Sequence, residues 1–498
     1  MTAWPVLTTL VGIVAALGFA RGRALPTLSP FTVGMFVLVS IFGLRPLAMS
    51  TRGDYVFYGL DVSPYAPGAE FMGFIATLMF AVGGGIAAIS GKTNWDGLAR
   101  ESERRDTQVQ LPWSIGPWAS YVLALGIVAA WFALLARAGG GTAFLRVLFA
   151  GRSELVVESL AGMPAVLFGL PVIAASLVAT VRFGRELSSA YRPTERLAYW
   201  LVIAATLIPP TALGTRRFLL PSLVVAALGT MGGKPFARVP VKWIAGGVGA
   251  FLVLAAIPFV RSAGSRTGSK DFVGALSDYF GQNGVANVVD TYFLSYDTEM
   301  FDYLAILRPV VGESVPYGLG RGSVLELLNS LLPASLAPGQ RWSDQVLTGI
   351  FGGACSEVVC PVPSIVGSAF IDFGWFGLII GCAVWGYFFA MYPKLLVRST
   401  AWRLPVLMMS GAFAAQIVRG NPVAQLAILI HSIVILLILL YVSSLLARAV
   451  QGGRRGDTRH ALGSTRRKGS RKLISPDVEP THLPNDVRPV SSSRRRLN

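Results

Sequence analysis

Apolar runs alternate with shorter polar segments along most of the chain. Each run has roughly 17 to 25 residues, which lets an α-helix cross a hydrocarbon layer of about 30 Å. Backbone polar groups must be paired within the segment in lipid, so we expect these runs to be helices. The pattern predicts about eleven spans, near residues 4–20, 30–49, 69–90, 115–136, 158–181, 197–214, 217–232, 241–260, 365–391, 402–418 and 423–447.

The composition agrees with this pattern, since 53% of the 498 residues are hydrophobic and only 14% are charged. A soluble chain of this length would divide into domains with polar surfaces. We therefore predict an all-α, polytopic membrane protein with a large helical extracytoplasmic loop. Its expected segments are membrane helices at 1–260, the loop at 261–364, membrane helices at 365–447 and a basic tail at 448–498.

Lys and Arg in the connecting loops predict the orientation, because cytoplasmic loops carry an excess of both. The loops rich in these residues alternate with poorer ones. The rich set comprises Arg21, Arg23, Lys92, Arg100, Arg104, Arg105, Arg182, Arg185, Arg192, Arg196, Lys234, Arg238, Lys242, Lys394, Arg398, Arg403 and the tail. This places the tail in the cytoplasm and the amino terminus and the 261–364 loop outside.

The predicted outer loop carries its own helix patterns. Apolar residues recur at helical spacing over 272–280 and again over 300–307. Ser323-Val-Leu-Glu326 matches a capping box, and Pro333 is expected to end the helix that follows it. We expect a small helical cap over the membrane helices.

The net charge of +17 is concentrated in the tail, where thirteen Lys or Arg face four acids. A basic segment directly after a span is typical of an anchor on anionic lipid headgroups rather than of nucleic-acid binding. The tail is also rich in Ser, Pro and Gly, so we expect it to be disordered.

Four arginines lie at the predicted outer ends of spans, against the charge bias of that side. They are Arg45, Arg216, Arg217 and Arg419. One interpretation is that each reaches the headgroups on its long side chain. The other is that they face a shared cavity and bind an anionic ligand, because guanidinium matches phosphate in bidentate fashion.

The outer loop adds two kinds of candidate. Arg321 and Arg341 could join the anion site, although a solvated surface explains most loop charges. Asp302 lies beside an apolar stripe and could act as a general base. Asp372 falls inside the ninth predicted span and is a candidate cap for a helix break near Gly374.

Several classes of chemistry have no signature in the sequence. No phosphate-binding Gly-x-x-x-x-Gly-Lys-Ser/Thr loop and no metal-site spacing of His, Cys or Asp is found, so no metal or cofactor is expected. Gly318–Gly322 is interpreted as a turn, and His431 as a helix-packing group. Cys355 and Cys360 share the outer loop, and whether they form a disulfide stays open.

Taken in order, these landmarks resemble the O-antigen polymerases, the Wzy-type oligosaccharide repeat-unit polymerases of bacteria. The stretches that carry the resemblance are Pro361–Gly377, Phe301-Asp302 with Tyr317-Gly318, Leu332-Pro333 with Gln340-Arg341, and Gly214-Thr-Arg-Arg217. The resemblance extends over roughly residues 30 to 445 and leaves out the basic tail.

The resemblance implies a GT-C-like membrane enzyme in the bacterial cytoplasmic membrane. Such an enzyme transfers a growing glycan from undecaprenyl diphosphate to a lipid-linked repeat unit on the outer face. By this analogy Arg217 and Arg419 act on the diphosphate as it leaves, with Arg216, Arg45, Arg341 and Arg321 as further ligands. Asp302 is then the base for the acceptor hydroxyl, and a chain-length regulator is an expected partner.

Three alternatives remain at this stage. An O-antigen ligase relies on a histidine in its outer loop, and this chain has none there. A flippase for lipid-linked sugars usually has short loops and paired halves, unlike the 261–364 segment. A membrane scaffold without activity would fit the basic tail.

Overall fold

The computed structural model describes residues 2–21, 29–90, 117–139, 169–187, 193–212, 216–230, 281, 292–294, 298–332, 342–352, 361–397 and 403–465. Of the described residues, 86% are helical, as expected for an all-α protein. The predicted span at 241–260 and the predicted loop helix at 272–280 lie outside the described residues, as do Cys355 and Cys360.

Helices occupy the other ten positions at which spans are predicted, and short ones lie in the predicted outer loop. In chain order they are α1 Trp4–Arg21, α2 Pro30–Val39, α3 Arg45–Arg52, α4 Ala66–Ser90, α5 Pro117–Gly139, α6 Leu170–Leu187, α7 Pro193–Ala212, α8 Arg216–Thr230, α9 Met300–Val310, α10 Glu326–Leu331, α11 Trp342–Phe351, α12 Ser364–Val397, α13 Arg403–Arg419 and α14 Pro422–Thr465. Two π-helical turns, Ser40–Leu44 and Arg321–Leu325, precede α3 and α10. Strands β1 Val56–Phe57 and β2 Leu60–Asp61 form one antiparallel hairpin.

Four helical segments in the described part of the chain are long and apolar enough to cross a membrane. They are Pro30–Arg52, Ala66–Ser90, Ser364–Tyr392 and Pro422–Val442. Shorter apolar helices cover Trp4–Phe19, Trp118–Ala133, Leu170–Phe183 and Pro221–Thr230. The protein is thus a helical protein with the character of a membrane protein, and the total of eleven spans remains a prediction.

The first of these four segments begins with a strong cap and contains an irregular turn. Ser29 Oγ accepts a hydrogen bond from Thr32 N at 3.2 Å, and Pro30 occupies the first helical position, where its missing N–H costs nothing. The π-helical turn Ser40–Leu44 then adds a residue to the helical register just before Arg45. The segment ends at Gly53, whose φ of 67° suits glycine.

Helices α4 and α12 pack closely through small residues. A Cβ on Gly83 would overlap the carbonyl of Ala383, and a Cβ on Gly386 would overlap the carbonyl of Phe80. Small residues let two helix backbones approach each other, which is how helices associate in lipid without a hydrophobic driving force. The Phe80 ring also stacks on Phe31, with 5.3 Å between centroids, in the fully buried core.

The predicted outer loop is partly helical, with two expectations confirmed and one wrong. A helix does begin at Met300, and its first eight residues are buried. The capping box at Ser323 does not form, because Glu326 instead accepts hydrogen bonds from Ser343 N at 3.2 Å and Ser343 Oγ at 2.8 Å. Helix α10 ends at Leu331, just before Pro333, as proline requires of the residue that precedes it.

The chain divides into two compact units, Met1–Leu445 and Leu446–Asn498. Helix α14 continues to Thr465, so the first part of the basic tail is helical where we expected disorder. Residues from 466 onward lie outside the described residues.

Candidate functional site

Arg45 lies in the interior of the protein at the start of α3, directly after the π-helical turn. Its side chain forms an ion pair with Asp302 through Nη2 and Oδ2. Its Nη1 donates to the carbonyl oxygen of Phe293 at 2.9 Å and to Thr298 Oγ1 at 2.8 Å. Acceptors from residues 293–302 therefore contact both terminal nitrogens of this guanidinium, and its expected diphosphate-binding role stays a prediction.

Asp302 occupies the first turn of α9 and is only 2% exposed. Burial raises the pKa of its carboxyl, and the charge and hydrogen bond of Arg45 oppose that shift. Among the described residues Oδ1 has no hydrogen-bond partner, although Oδ2 is engaged by Arg45. One oxygen of this carboxylate is thus buried without a hydrogen-bond partner among the described residues.

Glu299 precedes α9 and lies three residues before Asp302, so both carboxyls come from one turn of the chain. Its Oε2 accepts a hydrogen bond from the hydroxyl of Tyr58 at 3.1 Å. Burial raises the pKa of Glu299 to about 7, while Tyr58, Arg45 and Arg419 lower it and Asp302 raises it. A carboxyl with a pKa near neutrality can both take and release a proton under ordinary conditions.

Tyr58 reaches Glu299 from the tip of the β1–β2 hairpin. Tyr58 and Gly59 form the two-residue turn, with φ values of 47° and 83°. A type I′ hairpin turn of this kind has positive φ at both central positions, which glycine adopts freely and tyrosine rarely does. An uncommon backbone conformation therefore places the phenol on the buried carboxyl.

Arg419 is the last residue of α13 and is half-buried. Its charge acts on Glu299 and on Tyr292, which places the end of α13 beside the segment that holds Arg45. Arg45, Tyr58, Glu299, Asp302 and Arg419 are called the Arg45 cluster below. It combines two guanidinium groups, two carboxyls and a phenol, contributed by four separate parts of the chain.

The structure brings together three of the residues selected from the sequence, namely Arg45, Asp302 and Arg419. Arg216 and Arg217 begin α8, but their side chains lie outside what the structure describes. Arg341 lies outside the described residues altogether.

Arg321 belongs to a second group of contacts and not to the Arg45 cluster. Its guanidinium carbon lies 5.7 Å from the ring centroid of Trp342, a cation–π distance. Nearby, Asp372 Oδ1 accepts a hydrogen bond from Gly322 N at 2.9 Å. Helix α12 does break at Gly374, where φ is 58°, but the Asp372 carboxylate holds the 318–322 turn rather than the broken helix end.

Sequence reasoning missed Glu299 and Tyr58 as members of the site. Glu299 carried a usable signal, because it stands three residues before Asp302 and helical geometry brings such residues to one face. Tyr58 carried none, since 241 positions separate it from the glutamate it contacts.

Within the described residues, no group of three or more His, Cys, Asp or Glu side chains could hold a metal ion. No family model matches the chain, and neither the curated proteins nor the solved structures contain a match to it.

Proposed function

We propose that this protein is a membrane glycan polymerase. It would transfer a growing oligosaccharide from a lipid diphosphate carrier to a lipid-linked repeat unit, on the outer face of the bacterial cytoplasmic membrane. The observation that supports this best is the Arg45 cluster, in which arginines and ionisable carboxyls meet in a helical protein with membrane character. Ionisable groups in such surroundings are costly and are typical of functional sites.

The transfer needs positive charge at the leaving group. The bond between the anomeric carbon and the diphosphate oxygen breaks, and the electron pair stays on the lipid diphosphate. Arg419 is the half-buried arginine of the cluster and would hold that diphosphate. Arg216, Arg217 and Arg341 are proposed as additional ligands of the same group, and undecaprenyl diphosphate is the expected carrier.

The transfer also needs a base for the acceptor hydroxyl. A new bond forms between the hydroxyl oxygen and the anomeric carbon, and the hydroxyl proton passes to a carboxylate. Glu299 suits this step because its pKa lies near 7. Asp302, the base expected from the sequence, is instead engaged by Arg45 and would orient the acceptor through its other oxygen. Arg45 would act as a positioning residue that fixes Asp302.

The function is tested with the full chain in liposomes that contain lipid-linked repeat units, without other enzymes. A polymerase lengthens the glycans, and ladders of increasing length appear on a gel. A flippase moves the repeat units across the bilayer without lengthening them, and a scaffold does neither. An O-antigen ligase would transfer glycan only when a second lipid acceptor is added. Any of these three results without lengthening would overturn the proposal.

A further inference from the structure

Residues 317–332 lie between α9 and α11 in the chain. They expose a row of apolar side chains. The row comprises Tyr317, Leu319, Val324, Leu325, Leu328 and Leu332, whose exposed fractions run from 39% at Tyr317 to 77% at Leu319. The segment is not one of the apolar helices long enough to span a membrane. A contiguous exposed apolar surface of this kind marks an interaction site.

Backbone hydrogen bonds fasten this segment to the start of α12. Gly318 N donates to the carbonyl of Ile371 at 3.0 Å, and Leu319 N donates to the carbonyl of Asp372 at 2.9 Å. The Asp372 side chain accepts from Gly322 N, which adds a third link. The exposed row is therefore held in a fixed position on a membrane-spanning helix.

The exposed row continues onto the apolar surface of that helix. Phe373 and Phe376 are 42% and 70% exposed, and the exposed apolar positions extend along the span to Ile380. The Phe373 ring lies against Gly320, in the middle of the segment. The surface of 317–332 and the outward-facing surface of the span thus form one apolar face.

The charges of the segment are arranged to suit a lipid interface. Its one acid, Glu326, is buried and accepts hydrogen bonds from Ser343. Its one base, Arg321, is exposed. An apolar face with a basic residue at its edge is typical of helices that lie in the boundary between headgroups and acyl chains.

We propose that residues 317–332 lie in the membrane interface as a monotopic element. Leu319, Val324 and Leu328 would enter the acyl-chain region of phospholipids, and Arg321 would contact lipid phosphates. The occupant of this face is the bilayer itself, because the face is continuous with that of the adjoining span. This inference is independent of the proposed glycan transfer.

The unmodified chain provides the first test. The protein is reconstituted in vesicles of phosphatidylethanolamine and phosphatidylglycerol that include a phospholipid with a photoreactive group on its acyl chain. After illumination, mass spectrometry should find lipid adducts on residues 317–332 as well as on the spans. Adducts on the spans without any on 317–332 would overturn the proposal.

Spin labels provide a second test that also measures depth. Leu319→Cys and Leu328→Cys are compared with Ser314→Cys in a nearby exposed turn, in full chains whose three native cysteines are replaced. Labels at 319 and 328 should be accessible to oxygen and shielded from a polar nickel reagent, and the label at 314 should show the reverse. Equal nickel accessibility at all three sites, or dipolar broadening that indicates a second copy on this face, would contradict the inference.

Discussion

Arg45 and Asp302 form a buried ion pair that joins the start of α3 to the first turn of α9. The two residues are 257 positions apart in the sequence. Their contact holds the segment that carries both carboxyls of the Arg45 cluster against Pro30–Arg52, a helical segment long and apolar enough to cross a membrane. Most of what we propose for this protein depends on that contact, and its energetic consequences can be measured.

Removing one partner of the pair should destabilise the protein strongly. Arg45→Ala leaves the Asp302 carboxylate buried without its cation, and breaking a buried pair in this way costs about 3 to 5 kcal/mol. Thermal unfolding of the protein in detergent micelles, followed by tryptophan fluorescence, measures the loss. Arg52→Ala is the matched control because Arg52 is exposed on the same helix, and surface substitutions usually cost within about 0.5 kcal/mol.

The double variant Arg45→Met/Asp302→Leu completes this comparison. Replacing both charges by apolar side chains of similar volume removes the unpaired charge, so it should recover most of the stability that Arg45→Ala loses. A single variant as stable as Arg52→Ala would show that the ion pair makes no contribution to the fold.

Stability should fall as the pH rises through neutrality, because of Glu299. Its pKa is about 7 in the folded protein against an ordinary value of 4.5, so between these values the folded state binds a proton that the unfolded chain has lost. The stabilisation is therefore complete below about pH 4.5 and disappears as the pH passes 7. Glu299→Gln, which cannot ionise, should lose this dependence when unfolding is measured from pH 5 to 8.

The rate of glycan lengthening should rise with pH, whereas the stability of the fold should fall. If Glu299 accepts the acceptor proton, the rate in liposomes rises as the carboxyl ionises around pH 7. Glu299→Gln should be slow at every pH. Asp302→Asn should be slowed but keep a rate that rises with pH, with its midpoint moved to lower pH because the Asp302 charge raises the pKa of Glu299. A profile lost in Asp302→Asn and retained in Glu299→Gln would assign the base to Asp302, as the sequence alone suggests.

The close packing of α4 on α12 should tolerate no added methyl group. Gly83→Ala and Gly386→Ala each place a Cβ on a backbone carbonyl of the other helix, which cannot move aside as a side chain can. Such overpacking costs typically about 1 to 3 kcal/mol. Gly126→Ala is the control, since nothing lies within 4 Å of its Cβ, and alanine there should be neutral or stabilising. Equal stability of all three variants would show that the two helices are not in close contact.

The sequence was most informative where long apolar runs predict helices. Apolar runs located helices at ten positions, and at four of these the helical segment is long and apolar enough to cross a bilayer. Local chemistry also predicted the end of α10 before Pro333 and the break of α12 near Gly374. In each case the signal lies within a few residues of the feature.

Features that depend on distant contacts were not predictable in the same way. The Glu326 carboxylate was expected to cap its own helix. Instead it accepts hydrogen bonds from the backbone N–H and the hydroxyl of Ser343. Arg45 and Asp302 were both candidate site residues, yet their contact could not be assigned from positions so far apart. The spacing of Glu299 from Asp302 was a usable signal, but its contacts with Tyr58 and Arg419 depend on the fold.

The most direct measurement compares glycan lengthening by three purified chains in liposomes with lipid-linked repeat units. These are the unmodified protein, Arg419→Ala and the exposed control Arg52→Ala, each shown to be folded by its unfolding temperature. Our account predicts long glycans with the unmodified protein and Arg52→Ala, and none with folded Arg419→Ala. Lengthening by Arg419→Ala at the unmodified rate would contradict the role of the Arg45 cluster in glycan transfer.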